Sequence, residues 1–341
     1  MKKITIKDVA RMAGVSEASV SYCLNGVKGR LSEETEKKIL EVVSRYGYVP
    51  SFSARTLVLG KTDILGVVTV NLLGEPFAEA LKGIEEQSRK HSLNILIGDA
   101  QGIYERESEY AEMLLHKGVE GLIFISASSQ KDNEILHKIS RIVPAIFINR
   151  PLAGENFYRI VFENRRVMKQ LVNEIIKRDA REILFLTQSA GTWAFSERLK
   201  GYQESVEEAG LKQHVFVFDV AQSEEEKEKI IRDFIRSRKF SAFVCSSNQL
   251  AILVWKTACT EGFRIGVDIS LTAFDDTGIL KHLIPPITTI RQPFFEAGVL
   301  AVDIFLQLKK GKKVKKVWEL DSEIIWRESV RNYNSQFKRV N

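Results

Sequence analysis

Two adjacent aspartates, Asp275 and Asp276, follow the apolar run Leu271 to Phe274, and paired carboxylates can divide general acid and general base work. Neighbouring residues of an extended strand point to opposite faces, however, so this pair cannot flank one scissile bond as a glycosidase pair does. The five histidines, His91, His116, His137, His214 and His282, are scattered. Cys23, Cys245 and Cys259 are widely spaced and form no CxxC or Cys/His cluster, which argues against a zinc site or a disulfide scaffold. No Ser-centred nucleophile elbow, Walker loop or HExxH is present. The expectation is a protein without catalytic residues, metal or cofactor. A different chemistry recurs: polar residues stand directly behind apolar runs at Asn71, Asp99, Ser126, Asn149 with Arg150, Ser189 through Trp193, Ser246 through Gln249 and Asp275. In doubly wound sheets that edge is where small ligands sit.

Those residues need strands to carry them. Short apolar runs at Ile64 to Val70, Leu93 to Ile97, Gly121 to Ile125, Ala145 to Ile148, Ile160 to Phe162, Ile183 to Leu186, Val215 to Phe218, Ala242 to Cys245 and Leu271 to Phe274 alternate with helical periodicities. Phe77, Leu81 and Ile84 form one such period, Val167, Leu171 and Ile175 another, and Leu199, Tyr202 and Val206 a third. This is the texture of parallel sheets covered on both faces, and nine runs are too many for one comfortable sheet, so two doubly wound halves are expected. A chain of 341 residues, 44% hydrophobic and 28% charged, is long enough for two or three modules with a large core. No apolar window approaches a membrane span and no signal-peptide core opens the chain, so a cytoplasmic protein is expected.

The first sixty residues differ. They hold 10 Lys and Arg against 6 Asp and Glu, most of the net charge of +6. Thr5 with Asp8 reads as a capping box opening a helix with Ile6, Val9 and Ala10 inward; Gly14 breaks it and Ser16 caps the next, with Val20 and Leu24 inward. Ser32 opens a third helix, Ile39, Val42, Val43 and Tyr46 facing the core, closed by Gly47. Pro50 and Ser51 start a fourth segment ending at Gly60, too short to be stable alone in water. Residues 6 to 26 have the spacing of a helix-turn-helix, with Ala10 allowing close approach and Gly14 making the turn. A second basic run, Lys309 to Lys316, reads as a solvated loop.

Six ordered blocks extend the pattern over almost the whole chain. They are the opening helix-turn-helix, Tyr48-Val49-Pro50 with Ala54-Arg55-Thr56-Leu57, Arg198-Leu199-Lys200-Gly201-Tyr202, Phe274-Asp275-Asp276, Thr288 through Pro293, and Arg327-Glu328-Ser329. In these the sequence resembles the LacI/GalR family of bacterial transcription regulators. The resemblance implies an N-terminal all-α helix-turn-helix domain (1–50), a hinge helix (51–60) and a two-lobed α/β core like periplasmic binding proteins (61–341). One lobe would be about 61–162 with 292–320, the other about 163–291 with 321–341.

It also implies roles. Glu17, Ala18 and Tyr22 match positions facing bases, and Thr5, Ser16, Ser19, Ser21 and Asn25 stand on the DNA side, mainly against phosphates. Leu57 matches a wedge pushed into a minor-groove base step, with Ser51 and Arg55 on the backbone there and Ala54 letting two hinge helices approach. In the core, Arg198 and Asp275 match effector-binding positions, with Phe77, Trp193, Asn248 and Gln292 around them. Gln249 and Asn149 stand where aspartates are frequent, which removes acceptor charge and makes a phosphorylated or acidic ligand better tolerated. The implied function is a repressor that binds a near-palindromic DNA operator as a homodimer and is switched by a small polar effector, a sugar or sugar derivative; the alternative is a solute-binding protein for a polyhydroxyl ligand.

Overall fold

The computed structural model describes residues 4–27, 29–49, 60–125, 134–152, 154–178, 180–189 and 192–331. The chain divides into two compact units, Met1–Thr62 and Asp63–Asn341.

In the first unit lie α1 (Ile6–Ala13), α2 (Glu17–Leu24) and α3 (Glu33–Tyr46), and local chemistry sets their ends. The Asp8 amide donates to Thr5 Oγ1, and the Asp8 carboxylate accepts from the Thr5 amide at 3.0 Å, which satisfies two of the amides every helix start leaves open. Gly14, at φ +67°, closes α1 in a conformation that would strain a residue with a side chain. Ser16 and Ser32 cap α2 and α3. Val9, Ala10, Val20 and Ile39 are buried together. Tyr46 departs from expectation: it is 44% exposed, with the Arg45 guanidinium over its ring. The chain reverses at Gly47 (φ +61°), and Tyr48 packs on the small core instead. The expected hinge segment, with Ser51, Ala54, Arg55 and Leu57, lies outside the described residues.

The second unit holds two six-stranded sheets. The first contains β1 (Ile64–Thr69), β2 (Asn94–Asp99), β3 (Leu122–Ile125), β4 (Ala145–Ile148), β5 (Phe157–Phe162) and β11 (Val317–Leu320), in the order β11-β5-β4-β3-β1-β2 and parallel throughout. The second contains β6 (Ile183–Gln188), β7 (His214–Phe218), β8 (Ala242–Cys245), β9 (Ser270–Phe274), β10 (Thr288–Arg291) and β12 (Glu323–Ile325), in the order β12-β10-β9-β8-β6-β7. Here β12 runs antiparallel to β10, so the expectation of purely parallel sheets needs correction at this edge. A three-residue strand entered directly from the neighbouring sheet needs no crossover helix. The expected two-sided cover also fails at the edges: Leu96 and Ile97 of β2 and Val215 and Val217 of β7 are exposed.

Each sheet is covered by two pairs of helices. α4 (Glu75–Lys90) and α11 (Phe294–Lys309) bury one face of the first sheet; α5 (Tyr104–His116) and α6 (Glu134–Ser140) bury the other. On the second sheet α7 (Asn164–Lys177) and α8 (Trp193–Glu208) lie opposite α9 (Glu224–Arg236) and α10 (Asn248–Thr260). The chain passes from the first sheet to the second after Phe162, returns after Arg291, and passes again between Leu320 and Glu323. The first two passages leave from carboxyl ends of strands, so the strand ends of both sheets converge on the same connecting segments. No described helix is long and apolar enough to cross a membrane.

The Arg198 to Tyr202 block is explained by packing. Gly201 sits where a Cβ would come within 2.4 Å of the Arg165 carbonyl, which lets α8 lie against α7. Tyr202 is fully buried; its hydroxyl donates to the Ile183 carbonyl at 2.8 Å and accepts from the His214 amide at 3.0 Å. The contact between α4 and α11 is equally close: a Cβ on Gly83 would lie 2.1 Å from the Phe295 carbonyl oxygen, and one on Gly298 2.2 Å from that of Ala80. Neither backbone can move aside without separating the helices. Gly298→Ala is therefore expected to cost about 2 kcal/mol or more in urea unfolding, whereas Gly311→Ala, which meets open space and bears only the strain of its φ of +69°, should cost roughly 1 kcal/mol.

Candidate functional site

On α2 the Ser16 side chain accepts from the Ser19 amide at 3.1 Å and its Oγ lies 2.9 Å from Ser19 Oγ. Asn25 ends the helix and gives its Nδ2 to the Ser21 carbonyl at 2.9 Å, with Ser21 Oγ at 3.3 Å. Ser16, Ser19, Ser21 and Asn25 are thus all occupied within their own helix, and Thr5 within α1. Glu17, Ala18 and Tyr22 are exposed, while Val20, on the opposite side, is completely buried. The positive end of the helix and two serine hydroxyls stand beside an outward-facing acid, methyl and phenol. That is a surface able to meet phosphates at its start and base edges along its side.

In the core, one buried guanidinium organises the site. Arg198 of α8 donates from Nε to Asn164 Oδ1 (2.9 Å), from Nη1 to the Ser246 carbonyl (2.7 Å) and from Nη2 to Gln292 Oε1 (3.2 Å). Its Nη1 is 3.7 Å from Asp275 Oδ2, and its carbon lies 3.5 Å from the centre of the Phe274 ring. Asn164 in turn accepts from Gln292 Nε2 at 3.1 Å and donates to Asn149 Oδ1 at 3.3 Å. Asn149 and Asp275 sit at φ +58° and +71°, conformations that cost a non-glycine residue energy and hold each side chain just beyond its strand.

The structure brings Asn149, Arg198, Asp275 and Gln292 into one network. Trp193, five residues before Arg198 on α8, and Asn248 and Gln249, in the first turn of α10 beyond Ser246, are not hydrogen-bonded to it. Phe77 meets the edge of Phe294 at 5.9 Å, and Phe162 is buried core packed on the same ring. Asn164 and Phe274 were not singled out by sequence reasoning as ligand-site residues, whereas Ser246 was among the polar residues expected behind the apolar runs. The signal for Asn164 was its place next to the first passage between the sheets, where a side chain can serve both.

Burial outweighs the ion pair in this network. The Arg198 guanidinium is lowered to about 10 chiefly by loss of water, with Asp275 opposing. The Asp275 carboxyl is raised by burial, with Arg198 opposing. Asp275 Oδ1 is enclosed and accepts no hydrogen bond, so the site retains one strong acceptor for a hydroxyl. Asp276 turns from Arg198 to Arg327, Oδ1 to Nη1 at 2.7 Å and Oδ2 to Nη2 at 3.0 Å, and lines the adjoining cavity. The two aspartates therefore diverge as expected, although both stand past the end of β9 and the divergence comes from the turn at Asp275.

Beside the network lies a cavity of about 470 Å³ lined by Glu75, Glu79, Asp275, Gln292 and Phe294 among others. Across its mouth the Glu75 carboxylate of α4 accepts from the Gly278 amide at 2.7 Å. Gly278 opens a short 3-10 helix, Gly278–Lys281, whose own N-cap Thr277 makes no side-chain cap bond. Glu75 thus supplies from the first lobe the cap that the second lobe lacks. Among the described residues no group of three or more His, Cys, Asp or Glu side chains is placed to hold a metal ion.

A helix-turn-helix unit joined to a two-lobed α/β core with a polar cluster where the chain crosses between sheets defines the class of ligand-responsive regulators. Residues 5–51 match the bacterial regulatory proteins of the lacI family, and residues 172–330 match the periplasmic binding protein-like domain. The chain is 28% identical over 330 residues to the HTH-type transcriptional regulator RegA of Clostridium saccharobutylicum, covering 95% of this chain and 98% of RegA. It is 29% identical over 330 residues to the ribose operon repressor of Haemophilus influenzae, covering 96% and 98%. A crystal structure of the lac repressor dimer bound to operator and the anti-inducer ONPF has the same fold, with TM-score 0.84 over 97% of this chain and 100% of that one at 23% identity. The chain belongs to the lacI family of bacterial transcription regulators.

Two outcomes test this geometry. Arg198→Ala strips donors from three acceptors and leaves Asp275 without its counter-charge, so the unfolding free energy of the core should fall by about 3 kcal/mol, read by urea denaturation. Glu75→Ala should open the ligand-free core, seen as a larger radius of gyration in solution scattering; an unchanged radius would show that the cap does not hold the lobes together.

Proposed function

We propose that this regulator is a cytoplasmic repressor that binds a near-palindromic operator as a homodimer and changes its grip on DNA when the core takes up a small uncharged polyhydroxyl effector. The functional division is 1–50 for reading DNA, 51–60 for the hinge, and 61–341 for effector binding and dimerisation. The observation that carries the effector reading is Asp275 Oδ1, an enclosed acceptor with nothing to accept from, beside an arginine already engaged by three other acceptors. Such a site favours a hydroxyl donor over a phosphate, since each guanidinium nitrogen of Arg198 already donates to a protein acceptor and the adjoining cavity is lined by six carboxylates against two cations, Lys82 and Arg291. The similarity to a ribose operon repressor agrees with a sugar.

On the DNA side, Glu17 can accept from a cytosine amino group, Ala18 can touch a thymine methyl and Tyr22 offers a hydroxyl beside them. Leu57 would act as the minor-groove wedge, which orders the hinge only when DNA supplies the contacts. Pairing of two copies is supported by the exposed apolar residues on the edge strands, Leu96 and Ile97 on β2 and Val215 and Val217 on β7.

Duplexes selected from a random pool by the full chain, followed by thermal-shift titration with sugars and sugar phosphates in the presence and absence of the selected duplex, test this reading. Selection should yield inverted repeats, a neutral sugar should raise the melting temperature, and Leu57→Ala should weaken operator binding at least tenfold while leaving the sugar shift intact. Failure to select any common sequence would overturn the DNA reading; a shift produced by sugar phosphates alone would overturn the effector reading.

A further inference from the structure

Six lysines fall within eight residues at 309–316, between α11 and β11. Because the first sheet is parallel, the amino ends of its strands share one edge, opposite the edge that faces the effector cluster. The loops on it are 60–63, 91–93, 117–121, 141–144, 154–156 and 309–316. They carry nine cationic side chains, Lys61, Lys117, Arg141 and the six lysines, against three carboxylates, Asp63, Glu120 and Glu155. That edge is also where the core begins, at Asp63, and where the chain continues towards the headpiece.

The lysine loop is fastened to that starting point. Lys309 Nζ contacts Asp63 Oδ1 at 2.8 Å and Glu120 Oε2 at 2.5 Å, and the Asp63 amide donates to Glu120 Oε1 at 3.1 Å. At the other end, Lys316 Nζ donates to the Glu155 carbonyl and lies over the Tyr158 ring, while Lys315 Nζ is 3.9 Å from the centre of the Trp318 ring. Lys310, Lys312 and Lys313 remain exposed, and among the described residues none of the three has an ion-pair partner. A helix C-terminus favours nearby cations, which accounts for Lys309 and Lys310, but the effect fades within the last turn. Gly311, at φ +69°, ends that turn, so Lys312 and Lys313 lie beyond it. A nucleic-acid backbone carries condensed counter-ions, which clustered lysines release when they neutralise its phosphates. Fourteen residue steps separate Val49 from Asp63, a tether of at most roughly 50 Å even if fully extended.

We propose that Lys310, Lys312 and Lys313 form an accessory contact from the core to the phosphate backbone of the double-stranded DNA held by the headpiece. The proposal rests on the reading of residues 1–50 as a DNA-binding unit. It adds a second, sequence-independent contact and so raises affinity for any duplex without altering which bases are read.

The test is the salt dependence of full-length protein binding to a mixed-sequence duplex, measured by fluorescence anisotropy. Each phosphate neutralised contributes about 0.9 to the slope of log K against log salt, so the triple variant Lys310→Gln, Lys312→Gln, Lys313→Gln should lose about 2 to 3 from that slope. A control triple variant on the second lobe, Lys212→Gln, Lys229→Gln and Lys239→Gln, removes the same formal charge and should leave the slope within about 0.5 of the parent. Equal losses in the two variants, or no loss in either, overturn the accessory contact while leaving the headpiece reading intact. A parent protein that binds no duplex at all overturns both.

Discussion

A guanidinium withdrawn from water needs acceptors on every side, and Arg198 finds them only because the chain passes repeatedly between its two sheets. Asn164 follows the first passage, Gln292 lies on the second, and Ser246 and Asp275 end strands of the second sheet. The cost of burying the charge is met by groups that converge only when both lobes are folded. This ties the polar cluster to the connections between lobes, so it cannot be a property of either lobe alone. Closing those acceptors around the arginine also leaves Asp275 Oδ1, within this network, an enclosed acceptor with no donor.

The segment 275–278 is held at three points that differ in kind. Asp275 faces Arg198, Asp276 is clamped by Arg327, and Gly278 is capped by Glu75 from the other lobe. Arg327 is itself fixed by its contact with the Ile287 carbonyl, and Ser329 donates to the Leu271 carbonyl while accepting from the Thr288 amide. The terminal Arg327-Glu328-Ser329 block is therefore a fastening of the last strand to β9 and β10. A ligand that engages Asp275 acts on a segment whose other end touches the first lobe. On the proposed effector reading, coupling between occupancy and lobe position would have a continuous physical route of a few residues.

Much of this was legible before any coordinates. The capping box at Thr5, the turn at Gly14 and the caps at Ser16 and Ser32 follow from interactions within four residues, and nine apolar runs marked nine of the strands. The remaining three, β10, β11 and β12, lie outside those runs. β10 is half threonine, yet Thr288 and Thr289 are completely buried, the Thr288 hydroxyl donating to the Arg327 carbonyl, and β11 is a half-exposed edge. Tyr46 was misplaced because helical periodicity carried one turn too far, past the point at which Gly47 hands the inward position to Tyr48. Asn164 carried no periodic or motif signal, since its importance comes from partners 15, 34 and 128 residues away.

The sequence by itself determined the class of the protein, its helix boundaries, most of its strands and the presence of a basic reading unit, because these rest on short-range hydrogen bonding, side-chain periodicity and charge. Tertiary structure alone decided that Gln292 and Asn164 serve Arg198, that Asp276 is held by Arg327, that Glu75 caps the opposite lobe, and that the lysine loop shares an edge with Asp63. Each of those depends on the meeting of segments far apart in the chain. No local pattern encodes such a meeting, because the desolvation and hydrogen bonding that give it value arise only when the sheets, helices and crossings are packed together.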